Sequence, residues 1–209
     1  MKVLIADDHT IVREGLKKIL SNVPEVESVE EAENGQEVLD KVTKAKFDIV
    51  ILDISMPGKS GLEVLKELKQ KKSNLAVLIL SVHPEEQYAI RALKSGASGY
   101  ISKSSASEEL VKAIRTIHTG GKYITPTIAE KLIFEIEEDT VKPAHEKLSD
   151  REYQVMCMIS SGKTIREISD YLCLSVKTVS TYRVRILEKM NFKNNSELTF
   201  YAIKNKLIN

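Results

Sequence analysis

The alternation of short apolar segments with amphipathic segments over residues 1–118 is the feature that most constrains the fold. Strand patterns occur at five places: Lys2–Ala6, Ser28–Ala32, Ile49–Leu52, Val77–Leu80 and Gly99–Ile101. Helical patterns follow them at about 11–20, 35–45, 61–71, 85–95 and 107–118. The third and fourth strands are continuously apolar, which is typical of central parallel strands. This alternation predicts a parallel sheet with helices on both of its faces.

Polar residues near the expected helix starts support these boundaries. Thr10, Asn34, Ser60 and Ser107 are N-cap residues or lie next to one, because their side-chain oxygens can accept from free backbone N–H groups. Pro84 suits a first helical turn, where no N–H donor is needed.

Side chains that carry chemistry follow four of the five strands. Asp7 and Asp8 come after the first strand, Asp53 after the third, Ser81 after the fourth and Lys103 after the fifth. Ligands of open α/β sheets bind outside the carboxyl ends of the strands, and the flavodoxin-like order 2-1-3-4-5 places strands 1 and 3 side by side. We therefore expect these side chains to meet at one edge of the sheet.

Three neighbouring carboxylates repel one another unless a cation joins them. Mg²⁺ is the expected cofactor, because it prefers oxygen ligands and keeps several waters. Asp53, in the middle of the edge, is the expected nucleophile, since a carboxylate can attack phosphorus and form an acyl phosphate. Lys103 can pair with the phosphoryl charge, and Ser81 can donate a hydrogen bond to it.

Four short motifs carry a family resemblance over residues 1–118. "IADDH", "ILDISMPGKSGLEVL", "ILSVH" and "GYISK" resemble the receiver domain of two-component response regulators. The resemblance implies that a histidine kinase transfers a phosphoryl group to Asp53. It also implies that Asp8, Asp53 and the backbone carbonyl of Ser55 hold the metal, while Asp7 acts mainly through water.

The same resemblance makes Ser81 and Tyr100 a switch pair, whose coupled movement would reshape the surface between the fourth and fifth strands. The chain departs from the family pattern at Ser104, where a proline usually follows the lysine. A cis peptide bond is therefore less expected at this position.

The two ends of the chain differ in charge. Residues 147–209 hold 11 Lys/Arg and 6 Asp/Glu, a net charge of +5, whereas the whole chain has +1, which leaves −4 for residues 1–146. An acidic front and a basic back suggest two domains with different partners. Residues 127–137 look like one more amphipathic helix, and the polar stretch "EDTVKPAHEK" that follows looks like a linker. We expect domains at 1–118 and 147–209, with a linker at 119–146.

The basic end shows only helical patterns, at about 150–160, 165–172, 176–190 and 195–205. Thr164 and Ser175 are the expected N-caps of the second and third of these helices. Two helices joined by a short turn, the second long and basic, are typical of a helix-turn-helix, here at about 164–183. The stretch "GKTIREISDYLCLSVKTVSTYRVRILEKM" resembles the LuxR-type DNA-binding domain.

The third helix of this all-α, four-helix domain is the expected reader of double-stranded DNA. Small side chains near its start could approach base edges, and basic ones could pair with phosphates. The residues expected to contact DNA are Lys177, Thr178, Ser180, Thr181, Arg183, Val184, Arg185 and Lys189.

A receiver followed by this helix-turn-helix resembles the NarL/FixJ class of response regulators. We expect a transcription factor that is not an enzyme, is switched by phosphorylation and binds DNA as a homodimer. We also expect a cytoplasmic protein with no membrane partner. No stretch of the sequence approaches the about 20 apolar residues that span a bilayer, and no charged-then-apolar leader opens the chain.

Two alternatives stay open at this point. A phosphohydrolase with an aspartyl-phosphate intermediate would place its nucleophile after the first strand in a D-x-D pattern, whereas this chain has D-D-H, and its DNA-binding tail would be unexplained. A phosphate-independent regulator could keep the acidic pocket as a relic, although the intact Asp8, Asp53 and Lys103 argue against it.

Overall fold

The computed structural model describes residues 1–83, 85–137 and 143–208. The expected helix start at Pro84 and residues 138–142 of the expected linker lie outside the described residues. The chain divides into two compact units, Met1–Ile133 and Phe134–Asn209.

The first unit is built on a parallel sheet, as the sequence predicts. In the described part of the chain its strands are β1 (Lys2–Ala6), β2 (Ser28–Ala32), β3 (Ile49–Asp53), β4 (Ala76–Ser81) and β5 (Gly99–Ser102). Their order is β2-β1-β3-β4-β5, and all neighbouring strands are parallel. The predicted order is confirmed. It places the carboxyl ends of β1 and β3 side by side.

Helices follow the strands at α1 (Thr10–Leu20), α2 (Gly35–Lys44), α3 (Gly61–Lys71), α4 (Glu85–Lys94) and α5 (Ala106–His118). The expected linker helix is observed as α6 (Pro126–Glu137). Residues of α1 and α5 pack with Val3, Ile5, Ile49 and Ile51 in one apolar cluster. The intervening strand residues are also fully buried, so the other face of the sheet is covered as well.

Two of the expected caps are confirmed. The Asn34 side chain accepts from the backbone N–H of Glu37, and Ser60 forms a reciprocal capping box with Glu63. These caps fix the starts of α2 and α3, and the second of them follows closely after β3.

The other two helix starts lie earlier than their expected caps. The N-cap of α1 is His9, the residue before Thr10. The expectation for Ser107 is wrong, because the N-cap of α5 is Ser105. The backbone N–H of Glu109 already bonds to the Ser105 carbonyl at 3.1 Å, so Ser107 lies inside the first helical turn.

The second unit contains a 3₁₀ turn (Ala144–Lys147) and the helices α7 (Asp150–Ser160), α8 (Ile165–Tyr171), α9 (Val176–Met190) and α10 (Asn195–Lys204). The helix α7 packs against the other three. The expected caps Thr164 and Ser175 are confirmed at the starts of α8 and α9.

Two further expectations concern the backbone and the membrane. The described residues contain no cis peptide bond, so the Lys103–Ser104 peptide is trans.

Among the helices that the structure describes, none combines the length and the apolar character that a membrane span requires.

Candidate functional site

Asp53 is the last residue of β3, and only 1% of its surface is exposed. The start of α3 lies directly against it. A Cβ atom at Gly61 would be 2.0 Å from the Asp53 carbonyl oxygen, and the Gly61 N–H donates to the Ile54 carbonyl at 2.9 Å. Only glycine permits this approach, so the local backbone holds Asp53 tightly at the strand end.

Lys103 follows β5 and reaches two carboxylates at the edge of the sheet. Its Nζ atom lies 2.8 Å from Oδ2 of Asp53 and 2.5 Å from Oδ2 of Asp7. Both carboxylates are almost fully buried. The structure therefore brings together three of the side chains that the strand ends predict, and the partly buried ammonium of Lys103 neutralises part of their charge.

The pKa values reflect this burial. Burial raises the pKa of the Asp53 carboxyl, although the nearby Lys103 ammonium opposes the shift. Burial alone would lower the pKa of Lys103, but the carboxylates of Asp53 and Asp7 outweigh it, and the pKa is raised. Lys103 thus stays a cation, and the ionised Asp53 is a more basic carboxylate than one in water.

Asp7, Asp8, His9 and Asp53 form the cluster with metal-ligand potential. Each offers one ligand atom, and these atoms all lie within 4.8 Å of one another. Asp8 and His9 are the accessible members, with 32% and 61% of their side chains exposed, and Oδ1 of Asp8 is 2.9 Å from Nδ1 of His9. The three carboxyl groups of Asp7, Asp8 and Asp53 outnumber the one ammonium of Lys103, and their hard oxygen donors fit a divalent cation such as Mg²⁺.

Two fully buried residues, Ser81 at the end of β4 and Tyr100 in β5, form the expected switch pair. Both contact His83, which the sequence analysis missed. Ser81 Oγ accepts from the backbone N–H of His83 at 3.1 Å, and the Tyr100 hydroxyl donates to the His83 carbonyl at 2.8 Å. The His83 ring nitrogen Nε2 lies 3.1 Å from Oγ of Ser55. Ser55 in turn donates its backbone N–H to Oδ1 of Asp53 at 3.2 Å. His83 therefore connects the expected switch pair to the loop after Asp53, and the only signal for it in the sequence was its place two residues after Ser81.

In the second unit, α9 presents most of the expected DNA-contacting side chains. Five exposed ones follow one face at helical spacing, namely Lys177, Ser180, Thr181, Val184 and Arg185. Val184 is apolar and yet 49% exposed. Small side chains on this exposed face can approach base edges in the major groove of DNA, and basic side chains can pair with its phosphates.

Thr181 of this face already donates its hydroxyl to the Lys177 carbonyl at 2.9 Å, and three other expected DNA-contacting residues also have protein partners. Thr178 bonds through its hydroxyl to the serine that caps α9, at 2.8 Å. Nε of Arg183 donates to Oδ1 of Asn195 at 2.7 Å, and Nζ of Lys189 donates to Oε2 of Glu152 at 2.6 Å. Arg183 and Lys189 thus also link α9 to α10 and α7.

Comparison with known families gives two matches. The model of the response regulator receiver domain matches residues 3–115, and that of bacterial regulatory proteins of the luxR family matches residues 146–202. The chain is similar to the response regulator GacA of Pseudomonas protegens, with 37% identity over 208 residues that cover 100% of this chain and 98% of GacA.

Solved structures of RcsB are also similar. One is RcsB of Salmonella enterica serovar Typhimurium bound to the promoter P1flhDC in the presence of the phosphomimetic BeF3−, with 28% identity, a TM-score of 0.60 and coverage of 96% of this chain and 97% of RcsB. Another contains two RcsB dimers bound to two parallel DNAs, with 27% identity, a TM-score of 0.61 and coverage of 97% and 98%.

Proposed function

The chain belongs to the response regulators of the NarL/FixJ class, which join a receiver domain to a LuxR-type DNA-binding domain and regulate transcription, and we propose that phosphorylation of Asp53 is its switch. The phosphodonor is a histidine kinase. The observation that carries the proposal is the position of Lys103, whose Nζ atom bridges the buried carboxylates of Asp53 and Asp7. We propose a receiver domain at 1–118, a linker at 119–146 and a DNA-binding domain at 147–209.

The transfer is a displacement at phosphorus. A carboxylate oxygen of Asp53 forms the new P–O bond while the bond from phosphorus to the donor imidazole nitrogen breaks, and that nitrogen keeps the electron pair. Lys103 compensates the negative charge of the acyl phosphate, because its raised pKa keeps it protonated. Ser81, buried at the end of the adjacent strand, donates a hydrogen bond to a phosphoryl oxygen.

Mg²⁺ is the cofactor of this proposal. Asp8, Asp53 and the backbone carbonyl of Ser55 would hold it, and Asp7 would act mainly through a water molecule. The ion would neutralise charge on the phosphoryl oxygens. The convergence of the carboxylate oxygens of Asp7, Asp8 and Asp53 supports this assignment.

The switch runs from the phosphoryl group to Ser81 and Tyr100. Both residues bond to the main chain of His83, so a movement of the Ser81 hydroxyl toward the phosphoryl group releases the bond that Ser81 accepts from the His83 N–H. The loop between β4 and α4 would then rearrange, and Tyr100 would follow.

The second part of the proposed function is DNA binding by the exposed face of α9. We infer that the chain binds double-stranded DNA as a homodimer, which places two copies of α9 on two half-sites. The RcsB complexes with DNA, among them the dimers on parallel DNAs, support this inference.

A gel-shift titration tests whether phosphorylation of Asp53 changes the affinity of the chain for DNA. DNA fragments selected from a random library are titrated with the full chain, with and without acetyl phosphate and Mg²⁺. We expect phosphorylation to tighten binding by about 5- to 150-fold, the usual range of coupling between two sites. Asp53→Asn should bind alike under both conditions. Equal affinity of the phosphorylated and unphosphorylated wild type would contradict the proposal.

A further inference from the structure

Arg13 is a buried cation on the side of α1 that is otherwise apolar. In the described part of α1, the residues on the buried side are Arg13, Leu16 and Leu20. Only 4% of the Arg13 surface is exposed. A buried guanidinium is unfavourable unless most of its N–H groups are paired, so its contacts indicate what it does.

The guanidinium of Arg13 joins three segments of the first unit. Its Nη1 donates to the backbone carbonyl of Asp7 at 2.8 Å. Its Nε donates to Oε2 of Glu31 in β2 at 3.1 Å, and its Nη2 donates to Oε1 of Glu33 beyond β2 at 2.7 Å. The planar fork of arginine is suited to such a set of contacts, whereas a lysine ammonium is a single point of charge.

The carbonyl that Arg13 contacts belongs to the peptide bond between Asp7 and Asp8. The Asp7 N–H donates to the carbonyl of Ala32 at 3.1 Å, so both main-chain polar groups of Asp7 are fixed. A rotation of this peptide about the ψ angle of Asp7 would move Asp8 relative to Asp7 and β1, because the chain after the peptide moves with it. The contact with Arg13 opposes that rotation.

We propose that Arg13 is a positioning residue for the metal site, which holds the Asp7–Asp8 peptide so that both carboxylates face the cation and Asp53. This inference rests on the proposed function. Glu31 and Glu33 neutralise the guanidinium, so its positive charge does not oppose a cation nearby. Hydrogen bonds from Lys17 and Arg13 lower the pKa of Glu31, which keeps it ionised.

A matched control lies on the same helix. Lys17 pairs with the same glutamate, with 2.8 Å between Nζ and Oε1 of Glu31, but its side chain is exposed. Its ammonium donates to Glu31, whereas the Asp7 carbonyl accepts from Arg13. Lys17→Ala therefore changes the charge balance around Glu31 while the contact to the Asp7–Asp8 peptide stays.

The test is calorimetric titration of the full chain with Mg²⁺, without any phosphodonor. We expect Arg13→Ala to raise the Kd for Mg²⁺ by about 10- to 100-fold, the usual effect of removing a group that orients metal ligands. Arg13→Lys should lie between Arg13→Ala and the wild type, and Lys17→Ala should match the wild type. Thermal unfolding without Mg²⁺ identifies folded variants, and if Arg13→Ala does not fold, Arg13→Lys carries the test.

The outcomes separate this inference from the proposed function. Folded Arg13 variants with the wild-type Kd would overturn the positioning role alone. An equal loss in Lys17→Ala would also overturn it, because charge balance would then explain the effect. A wild type that binds no Mg²⁺ would overturn the proposed metal site and this inference with it.

Discussion

The ammonium of Lys103 and the carboxylate of Asp53 form a partly buried ion pair, with 2.8 Å between Nζ and Oδ2. The two residues are 50 positions apart in the sequence. The strands β3 and β5 both end at the same edge of the parallel sheet. The strand order therefore brings Asp53, the last residue of β3, and Lys103, the residue after β5, to the same edge. The pair places a fixed cation beside the proposed phosphoacceptor.

Replacing this cation is expected to slow phosphorylation. Lys103→Gln should lower the rate of phosphoryl transfer from acetyl phosphate to Asp53 by about 10²-fold, the usual effect of losing one preorganised donor to developing charge. Lys59→Gln removes an exposed lysine that pairs with Glu67 on the surface, and it serves as the control. Similar rates for the two variants would mean that Lys103 has no special role.

Gly61 is expected to tolerate no side chain. Gly61→Ala would place a Cβ atom 2.0 Å from the Asp53 carbonyl oxygen, so the start of α3 must move. We expect a loss of about 1–3 kcal/mol in the free energy of unfolding of the first unit, together with slower labelling of Asp53. Gly15→Ala is the contrasting variant, because its Cβ would meet nothing within 4 Å. Alanine inside a helix should stabilise there by about 0.5–1 kcal/mol, and denaturant unfolding measures both changes.

The exposed face of α9 is expected to divide into residues that read bases and residues that bind phosphates. Thr181→Ala and Val184→Ala should alter sequence preference, each at a cost of about 1–3 kcal/mol for the best site. Lys177→Ala should weaken all sequences alike and reduce the slope of log K against log salt by about 1. Binding-site selection and salt titration measure the two effects. An unchanged preference in both Thr181→Ala and Val184→Ala would mean that α9 is oriented differently on DNA.

The pair of Glu152 and Lys189 is expected to stabilise the second unit in a pH-dependent way. Burial would raise the pKa of Glu152, but the hydrogen bonds from Lys189 and Ser149 outweigh it, and the pKa is lowered. Its stabilising contribution is therefore complete above the unfolded pKa of about 4.3 and is lost as the pH falls through the lower folded value. Glu152→Gln should cost about 1–3 kcal/mol in the free energy of unfolding at neutral pH.

The difference between Glu152→Gln and the wild type should shrink in acid. Denaturant unfolding at a series of pH values measures this, with the exposed Glu188→Gln as the control. A difference that stays constant with pH would contradict the ionic origin of the effect. The same pairing means that Lys189→Ala is informative about DNA phosphates only after its unfolding free energy has been compared with that of the wild type.

Much of the first unit could be predicted because two simple periodicities determine it. Continuous apolar runs locate the buried strands β3 and β4, and the residue after each run then lies at the ligand edge. Asp53 and Ser81 could therefore be placed without any knowledge of side-chain packing, and Lys103 follows the fifth strand pattern in the same way. The same reasoning placed α8 and α9, since Thr164 and Ser175 are N-caps with strong local signals.

The contacts that were missed depend on the directions of long side chains across distant segments. Arg13 occupies a position on the apolar side of α1, which marks it as unusual, but its partners Glu31 and Glu33 lie in β2 and just beyond it. The link from Lys189 to Glu152 spans 37 positions, and no local pattern encodes it. His83 is connected mainly through its backbone, for which the residue type gives no signal.

Phosphoryl mapping by mass spectrometry tests the central claim most directly. The full chain is incubated with acetyl phosphate and Mg²⁺, and the modified residue is located in its peptides. We expect one phosphoryl group per chain on Asp53, weaker labelling of Asp8→Ala, and the wild-type level for the exposed control Asp40→Asn. Asp53→Asn should carry none, because its amide is not a nucleophile for phosphorus. Labelling of Asp53→Asn to the same extent as the wild type would contradict the assignment of Asp53 as the phosphoacceptor.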